Sequence, residues 1–166
     1  MENFILIGMP SCGKTTIGTE LSKKIGYGYI DSDSVIVARS GKRLPEIIQE
    51  FGREGFLDIE AKINSELCAN RCVIATGGSV IYREKAMQHL KSLGKVVYLK
   101  LSYETVERRI GDMKERGVAC KEGFSLRDLY EERKPLYEKY ADIVIEVDND
   151  MDIQDTAIKI AELMEK

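Results

Sequence analysis

The chain has 166 residues, 43% of them hydrophobic and 32% charged, with a formal net charge of −3. That length suits one domain with a real core, and the composition is that of a soluble globular protein. The small negative charge offers no global attraction to nucleic acid, and no apolar run reaches the ~20 residues that span a membrane.

The first element is a strand, residues 4–7 (Phe-Ile-Leu-Ile), so the chain is expected to begin on a strand rather than a signal peptide. A helix follows at 14–25, then a short strand at 29–30 and a helix at 34–40. Two more helices are expected at 45–51 and 56–69, the first with Pro45 in its opening turn, where a missing N–H costs little. Residues 72–75 (Cys-Val-Ile-Ala) and 96–101 read as strands buried on both faces, separated by a helix near 83–92. Helices at 103–114, 125–140 and 152–164 alternate with a last strand at 143–147. Strands alternating with helices predict an α/β fold, a parallel sheet covered on both faces.

Cys12, Cys68, Cys72 and Cys120 are scattered, and His89 is the only histidine. This usage fits reduced thiols in a cytoplasmic protein and gives no zinc pattern.

The strongest motif is Gly8-Met9-Pro10-Ser11-Cys12-Gly13-Lys14-Thr15, which fits G-x-x-x-x-G-K-[ST] between a strand and a helix. Its glycines let backbone N–H groups turn inward on phosphate oxygens, and the helix N-terminus adds positive potential. Lys14 is expected on the β- and γ-phosphates and the Thr15 hydroxyl on Mg²⁺, with Thr16 completing the nucleotide loop. The motif predicts binding of a nucleoside triphosphate, taken as ATP.

Asp31-Ser32-Asp33 follows the second strand at its carboxyl end, where doubly wound sheets gather their ligands. Asp31 is placed to hold Mg²⁺ through water, and Asp33 to accept the proton of an acceptor hydroxyl. Helix capping by Asp31 or Ser32 explains the same residues and is compatible with both roles. Thr76-Gly77-Gly78-Ser79 ends the third strand; paired glycines there admit a ligand close to the backbone, and a plain turn explains them too. That strand lacks the Asp of a usual Walker-B element, so Mg²⁺ is expected to rely on Thr15 and Asp31.

Residues 116–123 have glycines near both ends and no helical or strand period, between helices carrying Arg108, Arg109 and Arg133. A loop so flanked suits a lid, about residues 112–124, that closes over phosphates and excludes water.

These motifs, together with Glu132-Arg133-Lys134-Pro135-Leu136-Tyr137, come in the order found in shikimate kinases, and the chain resembles that family from Phe4 to about Val147. The resemblance implies one P-loop kinase domain over residues 1–166, with a five-stranded parallel sheet of order 2-3-1-4-5. It implies transfer of the ATP γ-phosphate to the 3-hydroxyl of shikimate, in aromatic amino-acid biosynthesis. By position it makes Asp33 the acceptor-binding base, lines the acceptor pocket with Gly77 and Gly78, and stacks Arg109 on adenine. It also gives Arg116 the transferring phosphoryl group and Arg133 the acceptor carboxylate. A monomer is expected, with a small-molecule acceptor and neither nucleic acid nor membrane as partner.

The chain departs from the family at three places. The family's Phe-Arg-x-x-Glu is Phe56-Leu57-Asp58-Ile59-Glu60, which puts Leu57 at an acceptor-binding position that carries an arginine; Arg53, one turn earlier, is a candidate substitute. A third glycine is Ser79, and the lid reads Arg116-Gly117-Val118-Ala119. Three readings stand: shikimate kinase; a kinase of the same fold acting on another polyol, hydroxy acid or nucleoside; and a nucleotide-binding regulator without turnover.

Overall fold

The computed structural model describes residues 2–147 and 152–164. Five parallel strands, β1 (Asn3–Ile7), β2 (Gly28–Asp31), β3 (Cys72–Ala75), β4 (Gly94–Lys100) and β5 (Ile143–Glu146), form one sheet in the order β2-β3-β1-β4-β5. This is the predicted α/β architecture. Every residue of β1 is buried, as a central strand covered on both faces requires. Asn3 opens it: its side-chain amide donates to the carbonyls of Ala69 and Leu93 and its oxygen accepts from the Cys72 N–H. One polar side chain thus stitches β1 to the entries of β3 and β4, and its hydrogen bonds offset its burial.

The helices are α1 (Lys14–Ile25), α2 (Ser32–Ser40), α3 (Leu44–Ser65), α4 (Glu84–Leu93), α5 (Tyr103–Ile110), α6 (Leu126–Tyr140) and α7 (Ile153–Met164). A 3-10 turn, Val80–Tyr82, joins β3 to α4. The two helices expected at 45–51 and 56–69 are the arms of α3, which breaks at Gly52 with φ 71 and ψ 177. Only glycine adopts that conformation cheaply, so the break is written into the sequence. α5 stops at Ile110, earlier than the expected 114, because Gly111 turns left-handed with φ 64. Among the described residues no helix is long and apolar enough to cross a membrane.

The main core lies on both faces of the sheet, from Ile5, Leu6 and Ile74 out to Leu21, Met87 and Ile160. A smaller core of Ile36, Ile47, Phe56, Leu57, Ile63 and Ala119 joins α2 and α3 to the segment after α5. It lies next to the carboxyl ends of β2 and β3, where the motif residues collect.

Candidate active site

A cavity of about 420 Å³ opens at the carboxyl end of the sheet. On one wall stand Pro10, Ser11, Gly13, Lys14, Thr15 and Thr16 of the loop between β1 and α1; opposite are Asp31, Asp33, Glu60, Gly77, Gly78 and Ser79, with Arg116 and Arg133. Pro10 Cδ is 3.0 Å from where a Cβ on Gly78 would stand, so the nucleotide loop and the glycine turn touch.

Ser11 holds a left-handed backbone (φ 64) without being glycine, and its buried hydroxyl has no hydrogen-bond partner. Strain of this kind, about 1–3 kcal/mol, is typical of loops shaped around a ligand. The Lys14 ammonium donates back to the carbonyls of Gly8 (2.7 Å) and Met9 (2.9 Å) and lies 3.6 Å from Cys12 Sγ. Gly8 and Cys12 do not line the cavity. Cys12 is 1% exposed and spends its N–H on the Met9 carbonyl, so it shapes the loop from behind.

Asp31 caps α2: its Oδ1 accepts from the N–H groups of Asp33 (3.0 Å) and Ser34 (3.3 Å), leaving Oδ2 outside those bonds. Capping therefore leaves the second oxygen of this carboxylate for the expected metal role. Asp33 lines the cavity, and its buried Oδ1, set against Gly77, has no hydrogen-bond partner. An orphaned acceptor beside a cavity fits a ligand hydroxyl. Burial and the neighbouring Asp31 push its carboxyl up to about 6, against the pull of Lys14.

Arg133 is 1% exposed. Its Nε donates to the Tyr82 hydroxyl at 3.3 Å and Nη2 to the Ala119 carbonyl at 2.7 Å. Nη1 lies 2.8 Å from the position of a Cβ on Gly78, so an added side chain would collide with the guanidinium. Two nitrogens fix the fork and the third stands at the glycine turn, where an anion can be gripped. Arg116 is exposed at the cavity rim, and Gly117, Val118 and Ala119 complete that wall. Arg109, exposed on the last turn of α5, is not part of the wall.

The residues that would hold Mg²⁺ are oxygen donors, the Thr15 hydroxyl and Asp31, in the same cavity as the Lys14 loop. No group of three metal-binding side chains occurs among the described residues. A magnesium ion bound mostly by water and phosphate oxygens needs only one or two protein ligands, so the donors present fit it.

The family model for shikimate kinase matches residues 10–165. The chain belongs to the shikimate kinase family. It is 41% identical over 151 residues to the shikimate kinase of Pseudomonas paraeruginosa, covering 89% of this chain and 88% of that one. It is 36% identical over 165 residues to that of Nostoc punctiforme, covering 98% and 90%. Its fold superposes on the solved shikimate kinase from Acinetobacter baumannii in complex with shikimate, with a TM-score of 0.90, 34% identity and coverage of 99% and 93%.

Within this shikimate kinase fold Leu57 joins Gly8, Cys12 and Arg109 among the expected site residues that do not line the cavity. Leu57 is fully buried in the smaller core and takes no part in the cavity wall. A leucine at that turn of α3 gains more from Ile36, Ile47 and Ile63 than from facing a polar cavity. Arg53 does not replace it. Its guanidinium stacks on Tyr82 at 4.9 Å, on the ring that Arg133 also covers at 5.4 Å, and pairs with Glu54 and Glu132. One residue was passed over: Glu60, 2% exposed on the cavity wall, takes hydrogen bonds from Ser79 Oγ at 2.8 and 3.0 Å. Its signal was the closing acid of Phe56-x-x-x-Glu60. Burial pushes this carboxyl up to about 8; Asp33 adds to the rise, and Ser79, Arg133 and Arg83 oppose it.

Proposed function

We propose that the protein transfers the γ-phosphoryl group of ATP to the 3-hydroxyl of shikimate, with Asp33 as the base. One observation carries this reading: Asp33, with its unpartnered oxygen, lines a single cavity together with the Lys14 loop and Arg133. The polyphosphate lies on the loop from Pro10 to Thr16, and Lys14 exchanges its bonds to Gly8 and Met9 for the β- and γ-phosphates. Arg109 stacks on adenine, a guanidinium plane against an aromatic ring.

Arg133 holds the acceptor carboxylate from the glycine turn, while Gly77 and Gly78 let the ring lie against the backbone. Asp33 takes the proton of the attacking hydroxyl as its oxygen bonds to phosphorus. The bond from the γ-phosphorus to the bridging oxygen breaks, and ADP leaves. Arg116 moves in from the rim with residues 112–124 to meet charge on the phosphoryl oxygens and exclude water. Magnesium, held by Thr15 and by Asp31 through water, neutralises phosphate charge when bound.

The test is steady-state turnover with ATP, Mg²⁺ and a panel of acceptors. Shikimate is expected to be phosphorylated far faster than related polyols, and Lys14→Ala to abolish transfer. Preference for a different polyol or hydroxy acid would replace shikimate as the acceptor; ATP binding with no acceptor turned over would make the protein a nucleotide-binding regulator.

A further inference from the structure

Three features of the cavity converge on Glu60. Its carboxyl lies on the wall almost wholly buried, and among the described residues its hydrogen bonds come from Ser79 alone. No cation lies within ion-pair distance of it among those residues, although Arg133 and Arg83 act on it from further away. Across Gly77, Asp33 Oδ1 and Glu60 Oε2 reach to 2.6 and 2.8 Å of a single point, the position a Cβ would take there. Any residue but glycine would fill that point. Two carboxyl oxygens from different helices thus pack against the same glycine, on the wall of one cavity.

Resting on the phosphotransfer reading above, we propose that Glu60, oriented by Ser79, is a specificity-determining residue that hydrogen-bonds the acceptor hydroxyl adjacent to the one phosphorylated. Asp33 serves the reacting oxygen. Glu60 then serves the oxygen on the neighbouring carbon, since both carboxyls converge beside Gly77. For shikimate that neighbour is the 4-hydroxyl. Ser79 is a positioning residue. Its hydroxyl lies 2.8 Å from Oε1 and 3.0 Å from Oε2, which fixes the carboxyl with Oε2 turned to the Gly77 side. Leu57 cannot compete for Glu60, because it faces the smaller core. A diol, rather than a lone alcohol, is the chemistry this corner selects.

The experiment compares kcat/KM for shikimate and for 4-deoxyshikimate in the unaltered protein and in Glu60→Gln, Glu60→Leu and Ser79→Ala. The unaltered protein is expected to prefer shikimate by about tenfold or more, the loss that follows when a buried polar group is left unpaired. Glu60→Gln, which keeps polar atoms in place, retains most of that preference. Glu60→Leu brings the two acceptors within about twofold, and Ser79→Ala weakens the preference mainly through KM for shikimate. A Glu60→Leu protein that still favours shikimate by the full factor overturns the proposal. Should that variant not fold, undiminished preference in Ser79→Ala overturns it instead. The absolute rate of the unaltered protein on shikimate reports on phosphotransfer itself, and the ratio between the two acceptors reports on Glu60.

Discussion

The Tyr137 hydroxyl donates to the Gly78 carbonyl at 2.6 Å, tying α6 to the glycine turn that ends β3. Tyr137 is itself fully buried and stacks on Tyr98 of β4 with ring centroids 5.1 Å apart. Arg133 lies one helical turn earlier on α6. The same helix therefore supplies a cation for the cavity and fixes the backbone against which that cation rests. Tyr137→Phe removes one hydrogen bond and leaves the half-buried Gly78 carbonyl without that donor, at a cost of about 0.5–1.5 kcal/mol. A lower thermal midpoint and a raised KM for shikimate are expected, with KM for ATP much less changed; denaturation and steady-state kinetics measure both.

Asp33→Asn tests the base. The substitution keeps shape and removes the charge, so kcat is expected to fall by about 10²–10⁴ while ATP binding by calorimetry persists. As the proposed base, the Asp33 carboxyl of the unaltered protein, pushed up to about 6, would have to lose its proton to act. A pH profile of kcat/KM should therefore fall on its acid side near pH 6, and that limb should vanish in the Asn variant. Unchanged turnover in the variant would remove Asp33 from the chemistry.

Glu60 predicts how stability varies with pH. An unfolded glutamate titrates near 4.3, whereas in the folded chain burial holds the proton up to about pH 8. Between those limits the folded state binds more protons than the unfolded one. Its contribution to stability is fully present below the unfolded value and is lost as pH rises through the folded one, by at most about 1.4 kcal/mol per pH unit. Urea denaturation from pH 5 to pH 9 should show that decline. Glu60→Gln, which has no proton to lose, should flatten it apart from the smaller share from Asp33.

Gly117→Ala probes the wall formed after α5. The backbone there has φ 70, and a Cβ would stand 2.7 Å from Leu44 Cβ and 3.0 Å from Pro45 Cδ. Left-handed geometry costs a non-glycine residue about 1–2 kcal/mol before the collision is counted. The segment is expected to shift outward, raising KM for shikimate and speeding proteolysis within residues 112–124. Unaltered cleavage together with unaltered KM would show that the wall does not depend on this contact.

Much of this molecule was legible in its residues. Strand order followed from the family resemblance, and strand positions from apolar runs such as Cys72–Ala75. The loop around Lys14, the Asp31–Asp33 pair and the turn at Gly77 are local patterns, and local patterns carry to three dimensions. What escaped depends on which way a helix faces. Leu57 and Glu60 are three residues apart on α3, and the motif says nothing of which one turns toward the smaller core. The bond from Ser79 to Glu60 joins residues 19 apart, a pairing that only packing reveals. Spacing alone offers Arg53 as a substitute cation, but its guanidinium lies over Tyr82 and pairs with Glu54 and Glu132.

The bond from Arg133 Nη2 to the Ala119 carbonyl joins two events that chemistry alone would leave separate. In the proposed cycle, a swing of the segment carrying Ala119 would take a partner from the guanidinium and slacken its hold on a bound anion in the same motion. Departure of the phosphorylated molecule and relaxation of its anchor would then be one mechanical step, whose pace would limit how often the cycle repeats.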